Sequence, residues 1–185
     1  MDDEKLIYHR LDRKLIHKGH IVDYYQDTVQ VPNGETEEWD FVAHKGAAAS
    51  VPVLPDGRIL MVKQYRNALD RFTLEIPAGG LNAPGEPTLI AAARELEEET
   101  GYRPGNMELL LTVQTTVAFT NERIDIYLAT DLEKTVQHLD HDEFLKVEAY
   151  SLEELMGMIE SGTLEDSKTV SALLKYKVFC ADARS

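Results

Sequence analysis

Short runs of apolar, β-branched and aromatic residues, separated by turn signals, make up most of this chain. These runs predict β-strands at seven places, near residues 19–31, 38–42, 51–54, 59–65, 109–116, 124–129 and 144–150. Apolar residues at helical spacing predict helices near residues 88–100, 152–160 and 166–179. Ser151 and Glu154 are expected to form a capping box at the start of the second helix. One side of the third helix is expected to carry Val170, Leu173, Leu174 and Lys177 or Val178. Strands mixed with a few helices indicate an α/β protein.

The first two predicted strands lie on either side of a turn signal, Pro32-Asn33-Gly34, and form a predicted β-hairpin. A two-stranded hairpin is marginally stable in water and has to pack against something else. We therefore expect a β-rich section over residues 1–45, followed by the main domain over residues 46–185.

The helix predicted at residues 88–100 has a signal at each end. Thr88 can cap its first turn, and Gly101 can supply the left-handed conformation that ends many helices. Four apolar residues at helical spacing are expected to form its buried face: Leu89, Ala92, Ala93 and Leu96.

Three glutamates of this helix, Glu95, Glu98 and Glu99, are expected to share the opposite face within reach of one another. Like charges at this spacing destabilise a helix unless cations lie among them. Carboxylate oxygens suit hard divalent cations such as Mg2+, which often bridge to substrate phosphates. The alternative is a solvated acidic face that binds nothing, which is the commoner meaning of a run of glutamates.

Composition narrows the possible partners. The formal net charge of −14 argues against nucleic-acid and anionic-membrane surfaces, although not against a small anionic substrate bound through a metal ion. Cys180 is the only cysteine, so no internal disulfide can form and a reducing compartment is expected. The first ten residues have no apolar signal core, and no apolar run reaches a membrane-spanning length. We expect a cytoplasmic protein.

Residues 80–102 carry the strongest signal in the chain. Their sequence, GLNAPGEPTLIAAARELEEETGY, matches the pattern G-x5-E-x7-R-E-U-x-E-E-x-G-U at every specified position, where U is a bulky apolar or aromatic residue. This pattern is the Nudix box, and the chain resembles the Nudix hydrolases. The resemblance implies an α/β/α sandwich with a mixed sheet, here preceded by the N-terminal hairpin section.

The resemblance also implies a metal-dependent pyrophosphohydrolase, with Mg2+ as the expected cofactor and Mn2+ as an alternative. The carboxylates that match the family's metal ligands are Glu95, Glu98 and Glu99. A backbone carbonyl just before the box is a further ligand, with Gly79 preferred over Ala78. Arg94 is expected to orient the carboxylates by ion pairing, and Arg94 and Glu98 belong to the expected catalytic set. Glu86 is expected to have a structural role.

Within the family, the chain resembles the ADP-ribose pyrophosphatase branch. In that branch an acidic residue on a loop after the sheet activates the attacking water, in a segment similar to E-F-V-E-V. The matching segment here is Glu143-Phe144-Leu145-Lys146-Val147, so Glu143 is the expected catalytic base. Asp140 and Asp142 are the alternatives if the loop register differs, and a loop without a catalytic role is the remaining possibility.

The same branch implies substrate contacts. Trp39 falls where a relative stacks adenine, and Arg66 matches an arginine that contacts the substrate's phosphates. Their alternatives are a core position for Trp39 and a surface ion pair for Arg66. Glu75 begins a segment typical of the branch, and His44 stands where a phosphate-binding arginine can occur.

Assembly is also implied by the resemblance. Residues 18–34, KGHIVDYYQDTVQVPNG, resemble the opening of this branch. The equivalent strands of the branch cross over to a second subunit and help to build its substrate pocket. The resemblance therefore implies a homodimer.

One departure from the branch affects the expected substrate. The usual Pro-Gly beyond the box is replaced by Val117-Ala118, although Thr120-Asn121-Glu122 is kept. The expected reaction is hydrolysis of ADP-ribose or a related nucleoside diphosphate sugar to a nucleoside monophosphate and a sugar phosphate. A GDP-mannose-like substrate is one alternative, and a non-catalytic nucleotide-binding module is the other. The intact carboxylates of the box favour the enzyme.

Overall fold

The computed structural model describes residues 3–83 and 85–178 of the chain, which divide into two compact units. The first unit contains the residues up to 46 together with Gln114–Glu122. The second unit contains Ala47–Val113 together with the residues from 123 onward. The first unit thus includes a segment from the middle of the chain that no local pattern indicates.

The first unit is an antiparallel sheet of three strands, β1 (His9–Lys18), β2 (Val22–Gln30) and β3 (Thr36–His44). Strands β2 and β3 form the predicted hairpin, and Gly34 in their turn has a φ of 90°. Strand β1 is not among the predicted strands because it has no buried apolar face. It is held instead by its backbone pairing with β2 and by Arg13, which donates two hydrogen bonds of 2.6 and 2.5 Å to Asp27.

The second unit contains the remaining strands and the α-helices of the described chain, whereas a short 3-10 helix, Asp3–Leu6, belongs to the first unit. The strands are β4 (Ala47–Pro52), β5 (Ile59–Arg66), β6 (Arg71–Glu75), β7 (Ala78–Gly80), β8 (Tyr102–Arg103), β9 (Asn106–Gln114), β10 (Arg123–Thr130), β11 (Glu133–Lys134) and β12 (Leu145–Tyr150). The helices are α1 (Thr88–Thr100), α2 (Leu152–Glu160) and α3 (Ser167–Tyr176). No helix in the described part of the chain is long and apolar enough to cross a bilayer.

The second unit is built on two main sheets. One sheet has the strand order β7-β4-β10-β9 and is mixed, because β10 runs parallel to β4 whereas β7 runs antiparallel to it. The other sheet, β12-β5-β6, is antiparallel, and β8 and β11 form a small pair. The predicted α/β class with a mixed sheet is confirmed.

Two apolar clusters hold the second unit together. The larger one joins β4, β5 and β10 to α2 and α3, and its fully buried members include Val51, Ile59, Met61, Ile126, Leu155 and Leu173. The smaller one packs α1 on the mixed sheet through small side chains, and it consists of Ala48, Ala91, Ala92 and Tyr127. Alanines at this contact allow the helix to approach the sheet closely. This approach brings the glutamates of α1 next to β7.

The start of α1 differs from the prediction. Its N-cap is Pro87, which has no side-chain hydrogen bond, so the prediction that Thr88 caps the helix is wrong. The Thr88 hydroxyl instead donates a 2.9 Å hydrogen bond to Asp125 and lies 2.7 Å from the Tyr127 hydroxyl. This buried polar contact ties the first turn of α1 to β10.

The other helix ends follow the sequence more closely. Gly101 ends α1 with a φ of 71°, and its N–H donates to the Glu97 carbonyl, as predicted. Ser151 and Glu154 form the predicted capping box of α2. Asp166 caps α3, which ends at Tyr176, and Phe179 at the predicted end lies outside the described residues.

Candidate active site

The buried face of α1 is only partly the predicted one, because Ala92 and Leu96 are buried as expected. Six residues of the helix are buried: Ala91, Ala92, Glu95, Leu96, Glu99 and Thr100. Leu89, which was expected on the apolar face, is exposed. The expectation that the three glutamates lie opposite the apolar face is wrong, because Glu95 and Glu99 share the stripe of Ala91 and Ala92.

Glu99 lies at the centre of this arrangement, with only 2% of its surface exposed. Its Oε2 accepts a 3.1 Å hydrogen bond from the backbone N–H of Ala78 at the start of β7. Burial, followed by the negative charge of Glu95, raises the pKa of Glu99 to about 8. A buried carboxyl with a raised pKa is one that a bound cation would strongly favour in its ionised form.

Glu95 lies directly over Gly79 on β7. A Cβ atom added to Gly79 would lie 2.1 Å from Cδ of Glu95, so a side chain at this position would force the Glu95 carboxylate to move. Burial raises the pKa of Glu95, although the neighbouring Arg94 opposes the shift. The backbone of β7 and the two buried carboxylates therefore approach one another closely.

Arg94 ties the carboxylates of the box together. Its Nη1 donates to Glu95 at 2.6 Å and to Glu98 at 3.0 Å, and its Nη2 donates to the Gly80 carbonyl at 3.2 Å. Its Nε lies 3.7 Å from Oε1 of Glu86. Arg94 thus makes ion pairs of the kind that the sequence predicts. Glu86 contacts Arg94.

The donor chemistry at α1 and β7 suits a divalent cation. Two buried carboxylates, the partly exposed Glu98 and the side-chain-free backbone at Gly79 supply only oxygen donors. Among the described residues, no three His, Cys, Asp or Glu side chains are grouped so that they could hold a metal ion as they stand. Binding an ion here would require the carboxylates to move closer together, and it could keep the contacts of Arg94, which bonds to one oxygen of Glu95 and one oxygen of Glu98.

The structure brings Glu143 to this cluster. Glu143 lies on the loop before β12, and its negative charge contributes to the raised pKa of both Glu95 and Glu99. Its backbone N–H donates to the Asp140 carbonyl at 3.0 Å, which forms a turn. Asp140 and Asp142, the two alternatives, are exposed.

Arg66 and Glu75 form a second charged group beside the first. Arg66 Nε and Nη2 donate bonds of 2.7 and 2.6 Å to the two oxygens of Glu75. The positive charge of Arg66 also opposes the rise in the pKa of Glu99. Burial by itself would raise the pKa of Glu75, but Arg66, Lys168 and Thr73 outweigh it and bring the pKa to about 2.

The lowered pKa of Glu75 predicts how stability depends on pH. Its folded pKa of about 2 lies below the ordinary value of 4.5, so its contribution to stability is fully present above about pH 4.5. This contribution is lost as the pH falls from about 4.5 to about 2. We expect Glu75→Gln to lower the free energy of unfolding by on the order of 2–3 kcal/mol at neutral pH.

Urea unfolding of wild type and Glu75→Gln at several pH values measures this effect. The difference between the two proteins should be constant above pH 5 and should shrink below pH 4.5. Glu165→Gln is the matched control, because Glu165 pairs with Arg71 at the surface. A Glu75 effect that is the same at pH 7 and pH 3.5 would contradict the assignment.

Trp39 belongs to the first unit and is 42% exposed, so it is not a core residue. Its ring lies 5.0 Å from that of Tyr8 at an interplanar angle of 48°. It borders a cavity of about 530 Å³ whose other lining residues are Tyr24, Glu38, Asp40, Val42, Ala118 and Phe119. Ala118, which lines this cavity, is one of the two residues that stand where the resembling branch has Pro-Gly.

His44 is also in the first unit, at the end of β3. Its backbone N–H donates to the Asn121 side chain at 2.9 Å, and the Asn121 amide donates back to the His44 carbonyl at 3.1 Å. The His44 Nδ1 accepts from the Gly46 N–H and lies 3.5 Å from the Glu122 carboxylate. The structure therefore joins His44 to the segment Thr120-Asn121-Glu122, which matches the pattern of the branch.

Sequence reasoning missed Lys168 on α3, which is 9% exposed and bonds to Glu75. The predicted apolar side of this helix included Leu174, which is exposed. The residues that are buried are Lys168, Thr169, Ala172, Leu173 and Tyr176. A lysine four residues before a buried alanine, on the buried stripe of a helix, is the signal that could have identified it.

The sequence of this chain matches that of a known protein family. The family model described as NUDIX domain matches residues 43–173 of the chain, which is well over half of its length. The chain belongs to the Nudix family. The predicted family is thereby confirmed for this Nudix protein.

Relatives and a solved structure agree with this placement. The Nudix protein is 37% identical over 163 residues to the ADP-ribose pyrophosphatase of Bacillus subtilis (87% of this chain, 88% of the relative). It is 40% identical over 160 residues to the methanol dehydrogenase activator of Bacillus methanolicus (85% and 86%). A crystal structure of an ADP compounds hydrolase superposes with a TM-score of 0.81 at 20% identity, covering 92% of each chain, which shows a shared fold.

Proposed function

We propose that this Nudix protein hydrolyses the pyrophosphate bond of ADP-ribose or a related nucleoside diphosphate sugar. The products would be a nucleoside monophosphate and a sugar phosphate. The observation that carries the proposal is the pair of buried carboxylates, Glu95 and Glu99, that face the backbone of β7. The 37% identity to a protein named ADP-ribose pyrophosphatase supports the substrate class.

Glu95, Glu98, Glu99 and the Gly79 carbonyl are the proposed ligands of a divalent cation, Mg2+ or alternatively Mn2+. Such an ion, when bound, would neutralise phosphate charge and lower the pKa of a water molecule. The burial of Glu95 and Glu99 supports ion binding, since a cation held by these residues would offset the repulsion between their charges. Arg94 would hold Glu95 and Glu98 in orientation through its ion pairs.

Glu143 is the proposed general base. It would accept a proton from the attacking water as the water oxygen bonds to phosphorus. The bond between phosphorus and the leaving phosphate oxygen would then break. Arg66, held by both oxygens of Glu75, would bind the negative charge of the diphosphate. Binding and positioning of this kind supply much of the catalysis in phosphoryl transfer.

The nucleobase is proposed to stack on Trp39, because this exposed ring borders a cavity large enough for a base. We expect Trp39→Ala to raise KM for a nucleotide substrate by about one to two decades, since base stacking is worth about 1–3 kcal/mol. Turnover at saturation should stay close to wild type, because the base is bound equally in the ground and transition states. Steady-state kinetics measures both constants.

Trp39→Phe is the matched control because it keeps an aromatic plane, and its KM should lie much closer to the wild-type value. An unchanged KM in Trp39→Ala would remove Trp39 from the proposed substrate contacts. His44 is a weaker proposed contact, since its Nδ1 already accepts a hydrogen bond from the backbone.

Assembly and location complete the proposal. We propose a homodimer, because Leu11, Leu15 and Ile16 of β1 are about half exposed and a second copy could cover them. Light scattering at micromolar concentration tests this, and a monomer with full activity would contradict it.

The absence of disulfide-forming cysteine pairs supports a cytoplasmic location as part of the proposal.

A hydrolysis panel with Mg2+ tests the proposed function. It should compare ADP-ribose, other ADP-sugars, GDP-mannose, dinucleoside polyphosphates and nucleoside triphosphates by kcat/KM. The highest value for ADP-ribose or an ADP-sugar is the expected result. A preference for GDP-mannose would select the alternative that Val117-Ala118 suggests. Binding without turnover of any compound would instead support a nucleotide-binding module and contradict the enzyme.

A further inference from the structure

Lys168 is a buried charged residue that the proposed mechanism does not use. Its Nζ donates a hydrogen bond of 2.5 Å to Oε2 of Glu75 and one of 2.9 Å to Oδ2 of Asp166, the N-cap of α3. Burying an ammonium group costs free energy, and such groups are rarely buried unless paired. The two carboxylates meet this requirement, and one of them also holds Arg66.

The contacts of Glu75 make it a shared partner of two cations. Its Oε1 accepts from Arg66 and Thr73, and its Oε2 accepts from both Arg66 and Lys168. The four charged groups Arg66, Lys168, Glu75 and Asp166 carry no net charge. Without Lys168, the remaining three would carry a net charge of −1. Lys168 therefore keeps the group that includes Arg66 from carrying a net negative charge, which would repel a diphosphate.

The first turn of α3 also holds the chain that leads to β7. The backbone N–H of Ile76 donates a 3.0 Å hydrogen bond to the Thr169 hydroxyl, and Asp166 accepts from the Thr169 N–H. Glu75 and Ile76 are thus anchored to adjacent residues of α3. Two residues further along, Ala78 donates to Glu99. The anchor leaves Glu75 little freedom to move, and Arg66 is held by Glu75.

We propose that Lys168 is a positioning residue for substrate binding, which acts on Arg66 through the shared carboxylate of Glu75. Lys168 holds Glu75 in place and offsets its charge, so that the Arg66 guanidinium keeps both its orientation and its attraction for the substrate's diphosphate. This inference rests on the proposed function, because it requires Arg66 to bind substrate phosphate.

Replacing Lys168 by methionine tests the inference, since the side chain keeps most of its length and loses its charge. We expect KM for ADP-ribose to rise about tenfold or more, while kcat changes by less than about threefold, because Arg66 acts on the bound substrate throughout the reaction. Leu173→Ala is the matched control on the same helix, because it lowers stability without touching Glu75. Its KM should equal that of the wild type.

A double-mutant cycle with Glu75→Gln separates positioning from a purely structural role. In the Glu75→Gln background, Lys168→Met should change KM by less than about threefold, because the carboxylate through which Lys168 acts is gone. Equal effects of Lys168→Met in the two backgrounds, or an unchanged KM in the single variant, would overturn the inference. Lys168→Gln gives the same comparison if Lys168→Met does not fold.

The same kinetics distinguish this inference from the proposed function. A wild-type protein that hydrolyses no nucleoside diphosphate compound contradicts the proposed function and, with it, the role of Lys168. Wild-type hydrolysis with an unchanged KM in Lys168→Met contradicts only the role of Lys168.

Discussion

Glu99→Gln is expected to reduce turnover by several orders of magnitude while making the metal-free protein more stable. Glutamine has nearly the same shape and can still accept the hydrogen bond from the Ala78 N–H. Folding raises the pKa of Glu99 to about 8, which costs stability at neutral pH because the unfolded chain ionises this group freely. Glutamine does not ionise, so the variant is free of this cost. The substitution also removes an anionic oxygen ligand, which a divalent cation needs.

Two measurements on this variant have opposite expected signs. Urea unfolding in EDTA should give a free energy of unfolding that is higher than wild type by on the order of 1–3 kcal/mol. Turnover at saturating Mg2+ should be nearly lost, and Mg2+ should raise Tm less than in the wild type. Glu97→Gln is the control on the same helix, because Glu97 pairs with Arg103 at the surface. Wild-type turnover in Glu99→Gln would exclude Glu99 as a ligand.

Glu143→Gln is expected to lower kcat by about 10²–10⁴-fold with little change in KM, because the attacking water loses its proton acceptor. The position of Glu143, close enough to Glu95 and Glu99 to raise their pKa values, is the basis for this expectation. Glutamine keeps the size of the side chain, so the loop should retain its turn at Asp140.

Asp140→Asn and Asp142→Asn are the matched controls, because both residues lie on the same loop and are exposed. Both should keep near-wild-type kinetics. If Asp140→Asn is the slow variant and Glu143→Gln is not, the base is Asp140 and the assignment of Glu143 fails.

The box illustrates what the sequence can and cannot predict. The spacing of Arg94, Glu95 and Glu98 predicts a helix with grouped carboxylates, and the helix is present over Thr88–Thr100. The buried face of that helix is predicted only in part, because Ala92 and Leu96 are buried as expected but Leu89 is exposed. Close packing on β4 instead requires the small side chains of Ala91 and Ala92, and this requirement arises only from tertiary contact.

Other features depend on residues that are far apart in the sequence. Strand β1 has no apolar periodicity and depends on pairing between Arg13 and Asp27. The segment Gln114–Glu122 joins the first unit through Val42, whose N–H donates to the Phe119 carbonyl. Such long-range pairing leaves no local pattern, whereas helix caps such as Gly101 and Ser151 depend on neighbouring residues and were predicted correctly.

The most direct test of the central claim is 31P NMR of ADP-ribose incubated with the wild-type protein, with Mg2+ and separately with EDTA. We expect the two diphosphate resonances to be replaced by those of AMP and ribose 5-phosphate when Mg2+ is present, and to persist in EDTA. Resonances that persist under both conditions, for ADP-ribose and for every nucleoside diphosphate sugar tried, would contradict the proposal that the carboxylates of α1 serve pyrophosphate hydrolysis.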